Sequence, residues 1–474
     1  MFWLALHFPF LSLEIFSRGA AAPEPLAVPD PLAVVEKQGN RSRVKTCNEA
    51  ASACGVRPGM PASAAHALAA NLIVRIRDIA AEQESLAALA AWAGRFTPAI
   101  SLQPPDGLLI EIGSCLRLHH GLNNLIRQIG SGLNEMGYTF THACAPAPYA
   151  AWLMVLAGKE VAIREPARLE KAIGDLPVGL LDQSQDTLAS LEMVGAHTLG
   201  DCLRLPRAGM ARRFGQGLLD ELDRALGRLP EAREFFEPPP GFERRLELPS
   251  PVHEAEALLF ASRRLLLELE GYLCLLQAGV QEFDLVCCHE YVPDTVLKVG
   301  FAEPAHTLER MLLLLRETLA RTRLAAPVHT IMLQASRIQA MELSNLDMFE
   351  DSADTADGNL LLERLRIRLG KEAVFGIAPA SDHRPELAWR HCGTGEETGP
   401  TNKLQRPLWL LPKPMPCRKD RIELKSGPER IESGWWDGKD AERDYYVAQG
   451  RNGSRLWVFR DRSNGAWFVH GLFA

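Results

Sequence analysis

No two cysteines in this chain are spaced Cys-x-x-Cys; the ten present, Cys47, Cys54, Cys115, Cys144, Cys202, Cys274, Cys287, Cys288, Cys392 and Cys417, are scattered along it. That excludes the paired spacing of a structural zinc site and leaves reduced, mostly buried thiols as the reading. No run approaches the roughly 18 apolar residues of a membrane-spanning helix. The start, MFWLALHFPFLSLEIF, is apolar but lacks a basic leader and holds a proline, a histidine and a glutamate, which argues against a signal peptide or anchor. Positive charge is in deficit: the net charge of −7 does not describe a surface coated for nucleic acid, although local basic clusters stay compatible with it. Neither GxSxG nor GxxxxGKS occurs, so hydrolase and P-loop chemistry have no local signature. Cytoplasm is the expected compartment.

What is present is ordinary for a soluble globular protein: 47% hydrophobic and 23% charged residues over 474 positions, enough for two to four domains. Thirty-two prolines concentrate around residues 23–31, 238–251 and 400–416, which marks linkers. Residues 2–16 read as a short strand followed by a helical turn. Residues 48–72 are alanine-rich and helical, interrupted by GVRPGMP, and residues 80–95 predict a strongly amphipathic helix. The strand GLLIEIG, a helix through GLNNLIRQIGSGLNEMG, and a strand leading into a helix over YTFTHACAPAPYAAWLMVLAG follow; this alternation points to an α+β or α/β first domain. Residues 177–236 read as all helical and EPPPGFERRLELPSP (237–251) as a linker. A long helix over 253–279, strands QEFDLVCCHEY and DTVLKVGFA, a helix over 307–323 and the strand VHTIMLQA make a small βαβ-type domain. The acidic run EDSADTADG reads as exposed. The last hundred residues alternate aromatics around an Asn464-Gly465 turn, a β-hairpin pattern interleaved with arginine that fits a self-packed sheet or a nucleic-acid surface.

Two short patterns bear on chemistry. VGAHTLGDCLRLP (Val194–Pro206) fits a helix-hairpin-helix: Gly195 and Gly200 would let the backbone approach a phosphate while the following helix presents free N–H groups, and Arg204, Arg207, Arg212 and Arg213 would add charge. A plain helical hairpin with a C-cap glycine fits the same letters. His119-His120 does not read as a metal site, because adjacent side chains diverge on either regular element.

An N-terminal strand, the motif N-x-A-A-x-x-x-G-V-x-x-G-M, an aspartate-bearing turn before a strand, and a helix-hairpin-helix occur here in the order found in Y-family translesion DNA polymerases. The chain resembles that family over residues 1–350, and its GWWDG…RDYYVA…RLWVFR…WFVHGLFA ending resembles the ImuB-type branch, which is catalytically inactive. The resemblance implies an α+β multidomain right-hand fold with a C-terminal β-containing tail. Its parts would be palm (1–17 and 76–170), fingers (18–75), thumb (171–236), linker (237–251), little finger (252–343), a clamp-binding and acidic segment (344–358) and a partner-binding region (359–474).

Active members carry D-x-D-x-F-x-x-x-V-E on the first palm strand and S-x-D-E on the later one, because two metal ions must be held by carboxylates from both. Anchored on Glu14, this sequence places Ala5 and His7 at the first two acids; on the later strand Asp106 survives and Gly107 replaces the glutamate. Glu14 and Glu111 take scaffold positions. The fingers motif N-Y-x-A-R becomes Asn48-Glu49-Ala50-Ala51-Ser52, and the palm lysine falls at Trp152. No catalytic residue, metal or cofactor is therefore expected. Asn345-Leu346-Asp347-Met348-Phe349 resembles the Q-L-D-L-F peptide that docks on the bacterial sliding clamp, with Asn345 in place of glutamine. By resemblance the chain would be a nucleoid-associated adaptor without a membrane partner. It would bind primer-template DNA and link the clamp, a RecA-like accessory protein of the ImuA type and an error-prone C-family DNA polymerase. A weakly active Y-family polymerase and a DNA-independent scaffold are the competing readings.

Overall fold

The computed structural model describes residues 1–19, 30–39, 41–341, 352–392, 406–407, 409–438 and 440–473. The chain divides into two compact units, Met1–Arg364 and Leu365–Ala474. Among the described residues no helix is long and apolar enough to cross a membrane.

The first unit is built around a four-stranded antiparallel sheet whose central strand is Trp3–His7, flanked by Gly107–Glu111 and Thr141–Ala145, with Ile100–Gln103 at the edge. Successive side chains of a strand face opposite ways. Leu4, Leu6, Leu108, Ile110 and Cys144 pack on helices Ile79–Ala93 and Leu122–Met136, while Trp3, Ala5, Leu109, Ala143 and Ala145 pack on Pro148–Leu156 and the helices that follow. Both faces are covered, which is why WLALH and GLLIE read as continuous apolar runs instead of alternating. A second sheet joins Leu32–Gln38 to Arg41–Cys47 antiparallel and to Ile73–Ile76 parallel, with helices Glu49–Ala53 and Ala62–Leu68 beside it.

Five short α-helices follow, Leu169–Gly174, Gln185–Met193, Leu199–Arg204, Arg207–Phe214 and Gln216–Ala225. The helical reading of 177–236 holds only to Ala225: Gly227 turns at φ +69° and Pro230 follows, both helix-stopping features.

The segment read as a linker is mostly strand. Phe242–Val252 is an edge strand of a four-stranded antiparallel sheet completed by Ala278–Cys288, Thr295–Ala305 and Val328–Ala340. Phe242, Leu246 and Leu248 are buried at alternate positions, and Pro249 and Pro251 are tolerated because an edge strand leaves one side unpaired. The helices Leu258–Leu276 and Leu308–Leu319 connect strands that are parallel but separated by an antiparallel neighbour, so the βαβ reading holds in split form.

Helix Ile79–Ala93 is not amphipathic as expected. Its second half, Ala88 to Ala93, is buried without interruption because helix Leu258–Leu276 covers the side turned away from the sheet. A Cβ at Gly271 would lie 2.5 Å from Trp92 Cα, so glycine is what lets the two helices touch. From Ser352 on, the acidic run lies in a helix, Ser352–Leu369, which LLLERLRIRL continues with strong helix formers.

The second unit holds a five-stranded antiparallel sheet in the order Trp409–Cys417, Trp467–Leu472, Arg455–Asp461, Ala441–Gly450, Ile422–Ser433, and a ribbon of Gly376–Pro379 with Trp389–Cys392. The hairpin expected at Asn464-Gly465 is present. Its loop is five residues, with Gly465 at φ +75° and Gly465 N donating to Asp461 O.

Candidate functional site: the palm-like sheet and the helical hairpin

Strand register places Ala5, His7 and Gly107, the residues that the resemblance sets against polymerase acids, on one face. Ala5 pairs with Leu109 and Ala143, and His7 pairs with Gly107 and Thr141. Alternation then puts Ala5, His7 and Gly107 on the same side of the sheet. Ala5 is 0% exposed, within the same buried cluster as Trp152. Trp152, on helix Pro148–Leu156, lies directly over Gly107: a Cβ there would sit far inside contact distance of Trp152 Cη2 and Cζ3, and 3.1 Å from Gln103 O. The same indole meets the His7 ring edge to face, centroids 5.7 Å apart at 89°. The space a side chain at position 107 would need is filled by tryptophan.

Asp106 belongs to the turn between Ile100–Gln103 and Gly107–Glu111 and is partly exposed. Its backbone oxygen accepts from Phe8 N at 2.8 Å, and its Oδ2 lies 3.6 Å from His7 Nε2. The other two carboxylates are scaffold groups. Glu111 Oε1 accepts from Phe2 N and Gly113 N, each at 3.0 Å, and Oε2 from Ser114 Oγ at 3.2 Å. Glu14 Oε1 accepts from Thr139 N at 2.7 Å while Oε2 is buried without a partner; burial pushes this carboxyl up to about 7. Among the described residues no three His, Cys, Asp or Glu side chains gather in one place.

The fingers-position residues are equally specialised. Asn48 Oδ1 caps helix Glu49–Ala53 by accepting from Ala51 N at 2.9 Å and from Leu32 N at 3.0 Å, while Nδ2 donates to Asp30 O at 2.8 Å. Glu49 is exposed in the first turn, where a carboxylate suits the helix dipole. Ser52 is bonded by Arg57, whose Nη1 reaches Ser52 Oγ at 2.9 Å and Ser52 O at 2.6 Å.

Residues 185–204 do form two helices joined by a tight turn, and Gly195 adopts φ +81° there with open space around its Cα. Two first-turn N–H groups of the second helix already have partners. Leu199 N donates to Leu176 O at 2.8 Å, and Asp201 N is taken by Thr198 Oγ1 at 3.2 Å. The Asp201 carboxylate accepts from His197 N and Thr198 N, closing a capping box that holds its pKa below the usual range, chiefly through the Thr198 hydrogen bond. An internal anion thus already sits at that helix start. Gly200 also packs closely: a Cβ there would lie 2.9 Å from Gly174 O, where two helices meet.

The arginines divide. Arg207 makes a two-pronged bond to Asp223 at 3.0 and 2.6 Å, and Arg204 Nη2 lies 3.2 Å from Asp201 Oδ1. Arg212 and Arg213 end helix Arg207–Phe214, Arg213 lying over the Phe214 ring, 5.5 Å from its centroid. The five residues Asn345, Leu346, Asp347, Met348 and Phe349 lie outside the described residues.

Residues 20–155 match the impB/mucB/samB family model. The chain is 29% identical over 462 residues to Protein ImuB of Caulobacter vibrioides, covering 88% of this chain and all of that protein. It is also 25% identical over 190 residues to DNA polymerase IV of Aeromonas hydrophila, 39% of this chain and 54% of that one. Among solved structures, DinB from Sulfolobus solfataricus aligns at TM-score 0.40 and 18% identity, and an insertion ternary complex of Dbh DNA polymerase at 0.42 and 17%. Each spans 72% of this chain and all of the other. The chain is thus similar to ImuB over most of its length and matches the impB/mucB/samB model over residues 20–155.

Proposed function

We propose that this chain is a non-catalytic adaptor of a DNA-damage-induced translesion synthesis and mutagenesis complex. The observation that carries the reading is the palm face: Ala5 is sealed in the core and Trp152 occupies the volume above Gly107. In-line phosphoryl transfer requires ions that bridge the attacking and leaving oxygens, and a lone Asp106 beside an aromatic plug supplies neither the ligands nor the room. What such a chain retains is binding. Arg204, Arg212 and Arg213 project from the helical-hairpin region toward solvent as phosphate contacts for primer-template DNA. The Asn345–Phe349 peptide docks on the sliding clamp, its Leu346 and Phe349 filling apolar pockets. The tail recruits a RecA-like accessory protein and the error-prone C-family polymerase that performs synthesis.

Purified protein with primer-template, nucleotides and magnesium is expected to give no extension; robust extension abolished by Asp106→Ala would overturn the adaptor reading. Replacing Leu346 and Phe349 by alanine is expected to abolish clamp association. A second reading, a scaffold that holds no duplex, draws on two observations: the helix start at Leu199 is closed by Asp201, and Arg207 is tied to Asp223. Duplex affinity that falls steeply with salt supports the DNA-binding adaptor, and the absence of such binding supports the scaffold.

A further inference from the structure

In the second unit, the turn Gly434-Trp435-Trp436-Asp437-Gly438 follows strand Ile422–Ser433 and leads toward strand Ala441–Gly450. Its two glycines have φ +92° and +73°, backbone that glycine adopts without strain, so the loop folds sharply between them. Asp437 N donates to Gly434 O at 3.2 Å. The Asp437 carboxylate turns to Arg384, accepting from Nη1 at 3.0 Å and Nη2 at 2.7 Å. Asp382 holds the same guanidinium through Nε at 3.0 Å and Nη2 at 2.7 Å. Arg384 is 3% exposed while Asp437 faces solvent, so a buried guanidinium forms a charge-assisted lock between two loops.

The lock leaves two tryptophans in water. Trp435 is 78% and Trp436 61% exposed; they meet edge to face at 5.6 Å and 86°, and the Arg384 guanidinium lies 5.9 Å from the Trp436 ring centroid. Exposed indoles on a locked turn match the aromatic anchors that dominate protein–protein interfaces.

The surrounding charge selects the partner. Glu432, Asp440 and Glu442 are exposed beside the turn, Arg462 is paired with Glu432, and Arg384 is neutralised by two aspartates. A phosphate backbone meets carboxylates here, and an edge-to-face pair offers no parallel platform for successive bases. We propose that Trp435 and Trp436 anchor a partner protein whose apolar pocket is rimmed by lysine and arginine.

This inference rests on the adaptor reading, in which the tail recruits partners, and the test separates the two. Full-length wild type and Trp435→Ala/Trp436→Ala are titrated, by interferometry, with the purified RecA-like accessory protein and the purified C-family polymerase, and with fluorescein-labelled oligothymidylate. Loss of about 30-fold or more in affinity for one protein partner, with oligothymidylate unaffected and partial recovery in Trp435→Phe/Trp436→Phe, supports the anchor. Both side chains are exposed, so the thermal midpoint should not move. Equal partner binding by wild type and double alanine overturns the anchor and leaves the adaptor reading standing. Loss confined to oligothymidylate overturns it in favour of nucleic acid. Wild type that binds neither protein overturns the adaptor reading and the anchor with it.

Discussion

Placing a glutamate at position 107 should fail for a steric reason that can be measured. In Gly107→Glu the new Cβ falls within the Trp152 ring and 3.1 Å from Gln103 O, a backbone atom that cannot swing aside. Overpacking a filled core costs about 1–3 kcal/mol, and a buried carboxylate without a partner adds more; a loss of about 3 kcal/mol or more is expected. Trp152→Ala empties a large, 7%-exposed side chain from the same spot, at about 3–5 kcal/mol. Because each substitution relieves the other, the double variant should be less destabilised than the sum by at least about 1 kcal/mol. Urea unfolding of the four proteins, with equal slopes, gives the cycle. The double variant should still not extend a primer, since Ala5 remains in place. Tolerance of Gly107→Glu alone, or additivity within about 0.5 kcal/mol, would refute the idea that tryptophan plugs the site.

Other outcomes follow from buried charge and close packing. Glu14 is raised from 4.5 to about 7 in the folded state, so its contribution to stability is complete below about pH 4.5 and is lost as pH rises through about 7. Wild type should lose up to about 3 kcal/mol relative to Glu14→Gln between pH 5 and pH 8, read from denaturant midpoints at each pH. Arg18 and Glu268 form a buried ion pair, with Tyr138 also bonded to Arg18; Glu268→Gln should cost about 3–5 kcal/mol by leaving a buried guanidinium uncompensated, seen in the melting temperature. Gly200→Ala should destabilise by about 1–3 kcal/mol because its Cβ meets Gly174 O at 2.9 Å, without changing the salt slope of duplex binding; a changed slope would return Gly200 to the DNA surface.

Local signals carried much of the reading. The apolar strands at Trp3–His7 and Gly107–Glu111, the capped helices, and the turn at Gly465 are encoded by side chains close together in sequence, so periodicity and turn chemistry find them. The proline-bearing edge strand Phe242–Val252 escaped because its partner, Val328–Ala340, lies some eighty residues on. The covered second face of helix Ile79–Ala93 escaped for the same cause: the helix that buries it begins at Leu258.

The candidate site divides along the same line. The letters alone record that Ala5, His7, Gly107 and Ser52 stand where the resemblance places other side chains, because identity at a position is a property of the sequence. Tertiary structure decided what those letters do. Trp152 fills the space over Gly107 from a different helix, Asp201 closes the helix start offered to phosphate, and Arg384 locks the turn that exposes Trp435 and Trp436. Each depends on which distant atoms share a volume or a hydrogen bond, and that is fixed only when the chain has packed.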